Sequence, residues 1–395
     1  MSKYRTLRST LQRPAALAVS ALIAGAALAA CGGGSSSAAA GPGSSGDATA
    51  FSAQVKENLS AAAGPQTRRP PTDGPRAVPG KKIAIISFTL AEEGAQRIVG
   101  GLKDAGQILG WQTTVYDGQA VPSTANDRIQ QAISTKPDAI VIVALDAALI
   151  AGSLQDAKAA GIPVACNTCA DLADPGGRGP FVSVSPAVSR FEDMGYLVAQ
   201  YAYERTNGNP KFLSMNDQSL SNLRARETGL KRFLKDCTDG GGTCDLVQQR
   251  PFLVADLNTK LPLQAADLAR ANPSFNTMWL PFDYAALQAI SGLSQAGLTS
   301  TPDTFAVASN GDGANLDLIA KDGYQKATVG ISFEWGSFAT MDNLNRLFAG
   351  KPTAEEYVPI RLFDRENVAE AKSGAWKGDV DFVADFTRVW KEGTP

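Results

Sequence analysis

The stretch PDAIVIVALD, residues 137–146, is the densest run of apolar and β-branched side chains beyond the first thirty residues. Its apolar residues run continuously instead of alternating, as in a strand covered on both faces of a parallel sheet. The run stops on a carboxylate, Asp146, just before a helical pattern begins. In open α/β sheets ligands gather where strands end and helices start. Asp146 is therefore expected at a ligand cleft.

The same alternation recurs on both sides of this stretch. Upstream, KIAIISF (82–88) opens a helix pattern through Ile98, Leu102, Ala105 and Leu109, and WQTTVYD (111–117) precedes one through Ala125, Ile129, Ala132 and Ile133. Downstream, a helix through Ile150, Leu154 and Ala157 stops at Gly161, and IPVACNT (162–168) and FVSVS (181–185) supply two more strands. After a helix over 188–206 the cycle restarts with KFLSMND (211–217), DLVQQRPF (245–252), TMWLPFD (277–283), FAVASNGDG (305–313) and KATVGISFE (326–334). Five strands and then five more, each set alternating with helices, predict two doubly wound α/β lobes. A last helix (Phe338, Met341, Leu344, Phe348) and the segment YVPIRLFD (357–364) complete the pattern.

At 395 residues the chain is long enough for two or three domains. It contains no histidine, which excludes Ser-His-Asp and Cys-His catalytic pairs, histidine metal ligands and any unperturbed side chain titrating near neutrality. Lys3, Arg5, Arg8 and Arg13 crowd the start, and the rest of the chain is net acidic, 33 basic against 39 acidic residues. No basic cluster interleaved with aromatics suggests a nucleic-acid surface.

Residues 1–30 read as an export signal, with a basic start, an apolar run over 14–30 and small residues at its end. Leu28-Ala29-Ala30-Cys31-Gly32 resembles the lipobox of bacterial lipoproteins, which implies cleavage before Cys31 and a diacylglyceryl group on its thiol. The Gly/Ser/Ala/Pro tract beyond Cys31 reads as a tether, with 51–59 as a short helix and 65–80 extended, so 31–80 is expected to be flexible and the folded body to begin near Lys81.

Two enzyme signatures fail on spacing. The glycines after the first strand come too late for a dinucleotide site, and Asn310-Gly311-Asp312-Gly313 lacks the Lys-Ser/Thr of a phosphate loop. Cys166 and Cys169 form a CxxC, which reads as a redox pair, half of a zinc site or a local disulfide. Export favours disulfides, Cys166–Cys169 and Cys237–Cys244 being the simplest pairing. No metal or cofactor is expected. What remains is a ring of polar or aromatic residues at strand ends: Phe88, Asp146, Asn167, Asp217, Asp283, Asp312 and Glu334, with Trp335 beside the last. Any one of these acids is explained as a helix cap. Together they suggest acceptors for ligand hydroxyls, with Phe88 or Trp335 stacking on a sugar face.

From about Lys81 to at least Asp364 the body resembles the type I periplasmic binding proteins, the ribose/galactose-type sugar-binding components of ABC importers. The strand–helix order, AKAAGIPV (157–164), Arg226-Glu227-Thr228-Gly229 and Gly311-Asp312-Gly313 carry the resemblance. It implies two lobes joined by three crossings, near Ser185, Phe333 and 352–357, with 81–185 plus 334–356 in one lobe and 186–333 plus 357–395 in the other. It implies that Arg226 hydrogen-bonds sugar hydroxyls, that Asp312 occupies the family's aspartate turn, that Asp283 or Phe282 falls at a binding pair and that Phe88 packs on the sugar. Asn167-Thr168 stands where an aspartate is common, Phe333-Glu334-Trp335 where a glutamine is common, and one first-loop aromatic where a pair is common. These departures weigh against a simple pentose or hexose. The implied function is a lipid-anchored monomeric receptor, not an enzyme, that carries a small polar ligand to a membrane permease and its ATPase. A ligand-binding partner of a sensor kinase and an exported enzyme using Asp/Glu chemistry are the alternatives.

Overall fold

A computed structural model describes residues 45–174, 177–300, 303–371 and 374–393. The export signal, Cys31 and the Gly/Ser tract before Ser45 lie outside the described residues.

In chain order the first half comprises α1 (Ser45–Ala63), β1 (Lys82–Ser87), α2 (Glu93–Leu109), β2 (Gln112–Asp117), α3 (Pro122–Ser134), β3 (Ala139–Val143), α4 (Ala151–Ala159), β4 (Val164–Asn167) and β5 (Val184–Ser185). The second comprises α5 (Val188–Arg205), β6 (Lys211–Asn216), α6 (Ser221–Asp239), β7 (Asp245–Pro251), α7 (Leu261–Ala271), β8 (Thr277–Trp279), α8 (Asp283–Gln295), β9 (Phe305–Asn310), α9 (Gly313–Ala320) and β10 (Gln325–Ile331). Then come α10 (Phe333–Phe348), β11 (Ile360–Asp364) and α11 (Phe382–Glu392).

The strands form two sheets. The first runs β2-β1-β3-β4-β5 and is parallel throughout; the second runs β7-β6-β8-β9-β10 in parallel, closed at its edge by antiparallel β11. Counted within each lobe, both parallel sets have the order 2-1-3-4-5, whose switch point lies between the first and third strands. The continuous apolar runs follow from this layering. Ile83, Ile85, Val141 and Val143 join one core, and Ala84, Ile86, Ile140 and Ile142 join another on the opposite face.

The chain crosses between lobes after Ser185, where α5 packs on α6, and after Ile331, where α10 packs on α2. It crosses again over residues 349–359 on its way back to β11. The strand expected to run to Glu334 stops at Ile331. The Ser332 side chain accepts from the Trp335 N–H and caps α10, so Glu334 and Trp335 lie in a first helical turn.

Two segments depart from expectation. Residues 45–80 are not a loose tether. Phe51, Val55 and Leu59 form a stripe along α1, and Phe51 meets Tyr203 and Phe233 of the second lobe, ring centroids 5.3 and 6.2 Å apart. Beyond α1, the Ala77 N–H donates to the Trp390 carbonyl and the Val78 N–H to Asn345 on the first lobe's side. The second departure is α11, expected with the second lobe. Its Phe382, Phe386 and Trp390 instead pack on Phe338 of α10, because that apolar face has its complement there.

Candidate functional site

Both sheets aim the carboxyl ends of their strands at one cleft, so the walls come from the loops and first helical turns beyond those ends. The first lobe contributes Phe88 and Thr89 after β1, Glu92, Gly94 and Ile98 of α2, Ala144 after β3 and Thr168 after β4. The second contributes Leu220, Asn222, Leu223 and Arg226 around α6, Val254 after β7, Phe282 after β8 and Asn310 at the end of β9, while Phe333 comes from the crossing itself. The cavity therefore straddles the switch points of both lobes.

Arg226 is placed by a close helix crossing. Gly195 of α5 lies against α6 so tightly that a Cβ there would sit 1.9 Å from the Arg226 carbonyl oxygen. The guanidinium is buried over the Phe191 ring at 5.3 Å, and it donates from Nη1 to the Pro281 carbonyl at 2.6 Å and from Nη2 to Asn310 Oδ1 at 2.9 Å. Its Nε has no partner. Burial pulls its pKa down to about 10, against the attraction of Asp283, Asp312 and Glu92.

Glu92 faces Arg226 from the other lobe. Its carboxylate caps α2, accepting from the Gly94 N–H at 3.0 Å and the Ala95 N–H at 2.8 Å. Desolvation, helped by the charge of Asp312, raises its pKa to about 7. Asn310 joins the two lobes' networks. It holds a positive φ of 139° while its side chain accepts from Arg226 and donates to Asp312, and its carbonyl accepts from Arg97. Such a backbone persists where several partners fix it.

Arg97, on α2, ties the lobes together behind the cavity. It donates from Nε and Nη2 to Glu334 at 3.1 Å each, from Nη1 to Asp312 at 2.9 Å, and from Nη2 to the carbonyls of Ile331 and Trp376 at 3.2 and 2.7 Å. Burial alone would lower its pKa, but Glu334 and Asp312 outweigh it and raise it. At the rim, Asp146 accepts from the Ser221 N–H at 3.0 Å and from Arg224 at 2.7 Å, both on α6 of the opposite lobe. The Gly313 N–H reaches back to Glu93 at 2.8 Å. The lobes thus meet directly.

Of the residues singled out from sequence, Phe88, Arg226 and Phe282 stand in the cavity wall. Asp146 stands at the rim, and its side chain does not cap the turn that follows it; it bonds across the cleft instead, accepting from the first N–H of α6. Asn167 lies one layer back, donating to Thr340 and accepting from Thr168, which itself reaches the wall. Asp283 is fully buried behind the cavity and accepts from the Asp312 N–H, Gln325 and Thr328. Desolvation and Asp312 raise its pKa to about 7. Asp312 faces Arg97 and Asn310, and desolvation raises its pKa despite Arg97. Glu334 is held by Arg97. Trp335 is buried against Phe382, centroids 5.5 Å apart, and its neighbour Phe333 lines the cavity instead. Asp217 caps its own loop, accepting from the N–H groups of Ser219 and Val254.

Cys166 is joined to Cys169, and Cys237 to Cys244, by disulfides. Among the described residues no group of three or more His, Cys, Asp or Glu is arranged to hold a metal ion. Glu92, Asn222 and Asn310 are wall residues that strand-end patterns do not single out. For Glu92 the available signal is a glutamate at the first turn after the first strand.

The architecture is thus two parallel-sheet α/β lobes with a cleft at their paired switch points. The chain belongs to the family described as periplasmic binding protein domain, which matches residues 83–352, and its two parallel-sheet lobes have that family's type I fold. No curated protein sequence matches the chain. Among solved structures it is similar to an ABC transporter solute-binding protein from Agrobacterium vitis with bound allitol, at 20% identity, covering 74% of this chain and 98% of that one, TM-score 0.64. It is similar also to a solute-binding protein from Mycobacterium smegmatis with bound glycerol, at 19% identity over 75% and 98%, TM-score 0.64. A third is the 5-methylthioribose transporter solute-binding protein of Thermotoga lettingae, at 14% identity over 77% and 93%, TM-score 0.64. At these identities the likeness is one of fold.

Proposed function

We propose that this chain is an extracytoplasmic solute-binding receptor, lipid-anchored through Cys31, that captures a small polar ligand of the sugar or sugar-like class and delivers it to an ABC importer. The observation that carries this reading is the shared wall. Glu92 and Phe88 from one lobe and Arg226, Asn222 and Phe282 from the other line a single cavity. A ligand touching both sides stabilises the closed arrangement by its differential affinity, and a permease can read that arrangement. The similar structures that hold allitol and glycerol support the class of ligand. Asp312 and Asp283 are bound to protein partners behind the cavity, which counts against these two as the acid–base pair of an exported enzyme and leaves Glu92 as the carboxylate in the wall.

A thermal-shift panel of sugars, polyols, nucleosides and small acids tests the reading. Binding to the folded state alone adds RT ln(1 + [L]/Kd), about 2.7 kcal/mol at a hundredfold excess over Kd. At least one compound is expected to raise the melting temperature by several degrees; a panel without a shift counts against the receptor. No helix of the described residues is long and apolar enough to cross a membrane. Incorporation of labelled palmitate is expected in the wild-type chain and is expected to disappear in Cys31→Ala.

A further inference from the structure

We propose that the third crossing is fastened to α10 by a proton shared between two carboxyl groups, Glu356 of the crossing and Asp342 of the helix, which makes this crossing a pH-dependent latch between the lobes. Glu356 is 7% exposed, and among the described residues no donor reaches either of its carboxyl oxygens. The group it meets is a second acceptor, the carboxylate of Asp342. Two carboxylates facing each other out of water repel unless one of them carries a hydrogen. Asp342 is already supplied with donors, Arg346 Nε at 2.6 Å on one oxygen and Trp390 Nε1 at 2.7 Å on the other. The hydrogen therefore belongs to Glu356, whose O–H donates to Asp342. Burial first, then the charge of Asp342, push the Glu356 pKa up to about 8 against the pull of Arg346.

Position gives this bond its leverage. On one side of Glu356 the crossing is tied to α10 by Asn343, which accepts from the Ala354 N–H at 2.7 Å and donates to the Ala354 carbonyl at 3.2 Å. On the other side the Ser332 N–H donates to the Pro359 carbonyl at 3.2 Å. The remaining charges around Glu356 are fixed by partners of their own. Arg346 is shared with Asp73 of the segment after α1, 3.6 Å away, and α11 presents only the neutral Trp390 indole to Asp342. From α5, Arg190 lies over the neighbouring Tyr357 ring at 4.9 Å and pairs with Asp193, while Lys351 and Glu355 of the crossing are exposed. When the crossing lifts, Glu356 meets water and returns toward its ordinary value of 4.5. The latch is therefore complete below pH 4.5, weakens as pH rises toward 8 and loses nothing further above it.

The test is hydrogen exchange of the purified chain across this pH range, read by mass spectrometry, corrected with unstructured reference peptides and compared with peptides from β1 and β9. Protection over 349–359 is expected to fall by up to about tenfold per pH unit between 4.5 and 8 and to level off above. In Glu356→Gln, nearly isosteric and with an amide that donates to Asp342 at every pH, protection relative to the sheets should stay flat within about twofold. A second measurement needs no opening of the crossing. The infrared band of protonated carboxyl groups should contain a component that titrates near pH 8 in the wild-type chain and is missing from Glu356→Gln. The same pH dependence of exchange in both chains, or the absence of that component from the wild-type chain, overturns the proposal. Protection that follows added calcium or sodium ions instead of pH makes the carboxyl pair a cation site and overturns it as well.

Discussion

Consider Asp146→Ala. Asp146 leaves the first lobe at the end of β3, and among the described residues its side chain bonds to α6 of the second, at Ser221 N and Arg224. Rotating the lobes apart separates these partners, so the substitution acts on the balance between open and closed forms and leaves each lobe's own packing intact. The bond to the buried Ser221 N–H is charge-assisted, worth ~1.5 kcal/mol or more. The ion pair has one partner about a third exposed, 32% for the Arg224 side chain, so solvent screening holds it to roughly 0.5–1 kcal/mol. Together these give about 2 kcal/mol, which moves the closed-to-open ratio roughly thirtyfold toward open. Small-angle scattering of the protein without added ligand should report a larger radius of gyration for Asp146→Ala. Asp146→Asn keeps an acceptor for Ser221 and should fall between. If the radius is unchanged and a double-mutant cycle with Arg224→Ala gives coupling below ~0.3 kcal/mol, the contact is incidental and the reasoning fails.

Other outcomes rest on the same network. Glu92 titrates near 7 when folded, raised from 4.5 by burial, so the stability it allows is full below pH 4.5 and is lost as pH rises through 7. Melting curves from pH 5 to 8 should show a slope shallower by up to ~1.4 kcal/mol per pH unit in Glu92→Gln, and parallel slopes would exclude this titration. Arg97→Met strands Asp312 and Glu334, and urea unfolding should show a loss of ~3 kcal/mol or more, partly restored by adding Asp312→Asn. Phe51→Ala should release α1 at a cost of ~2 kcal/mol, about half the value for a fully buried phenylalanine, seen as faster proteolysis within residues 45–64 and unchanged protection of the β-sheets.

The doubly wound lobes are legible in the sequence because a strand sandwiched between helix layers must be apolar on both faces, and 82–88 and 137–146 read that way. The path of 45–80 is harder to see. Its helix is rich in Ala and Ser, and a stripe of Phe51, Val55 and Leu59 shows that something is covered without showing what. At the cleft, position in the chain locates the right loops but not the directions of their side chains. Asp283 and Asp312 occupy strand ends as expected, yet they turn toward Gln325, Thr328 and Arg97, because a buried carboxylate takes the donors nearest to it. Asp146 reads from sequence as a helix cap or a ligand contact, and it serves instead as a bond from lobe to lobe, which no single-strand pattern encodes.

The segment that begins with α1 runs like a belt from one lobe to the other. One end is fastened to α5 and β11 of the second lobe, the other to α10 and α11 beside the first, and midway Arg68 lies on the ring of Tyr357 in the third crossing, 4.4 Å from its centroid. On the proposed receptor reading, a segment joined to both lobes would limit how far they swing. Beyond a certain angle either the α1 stripe must peel from Phe233 and Tyr203 or Arg68 must leave Tyr357. On that same reading, the range of the motion would be adjustable from outside the cleft, by lengthening or loosening a segment that contributes no residue to the cavity wall.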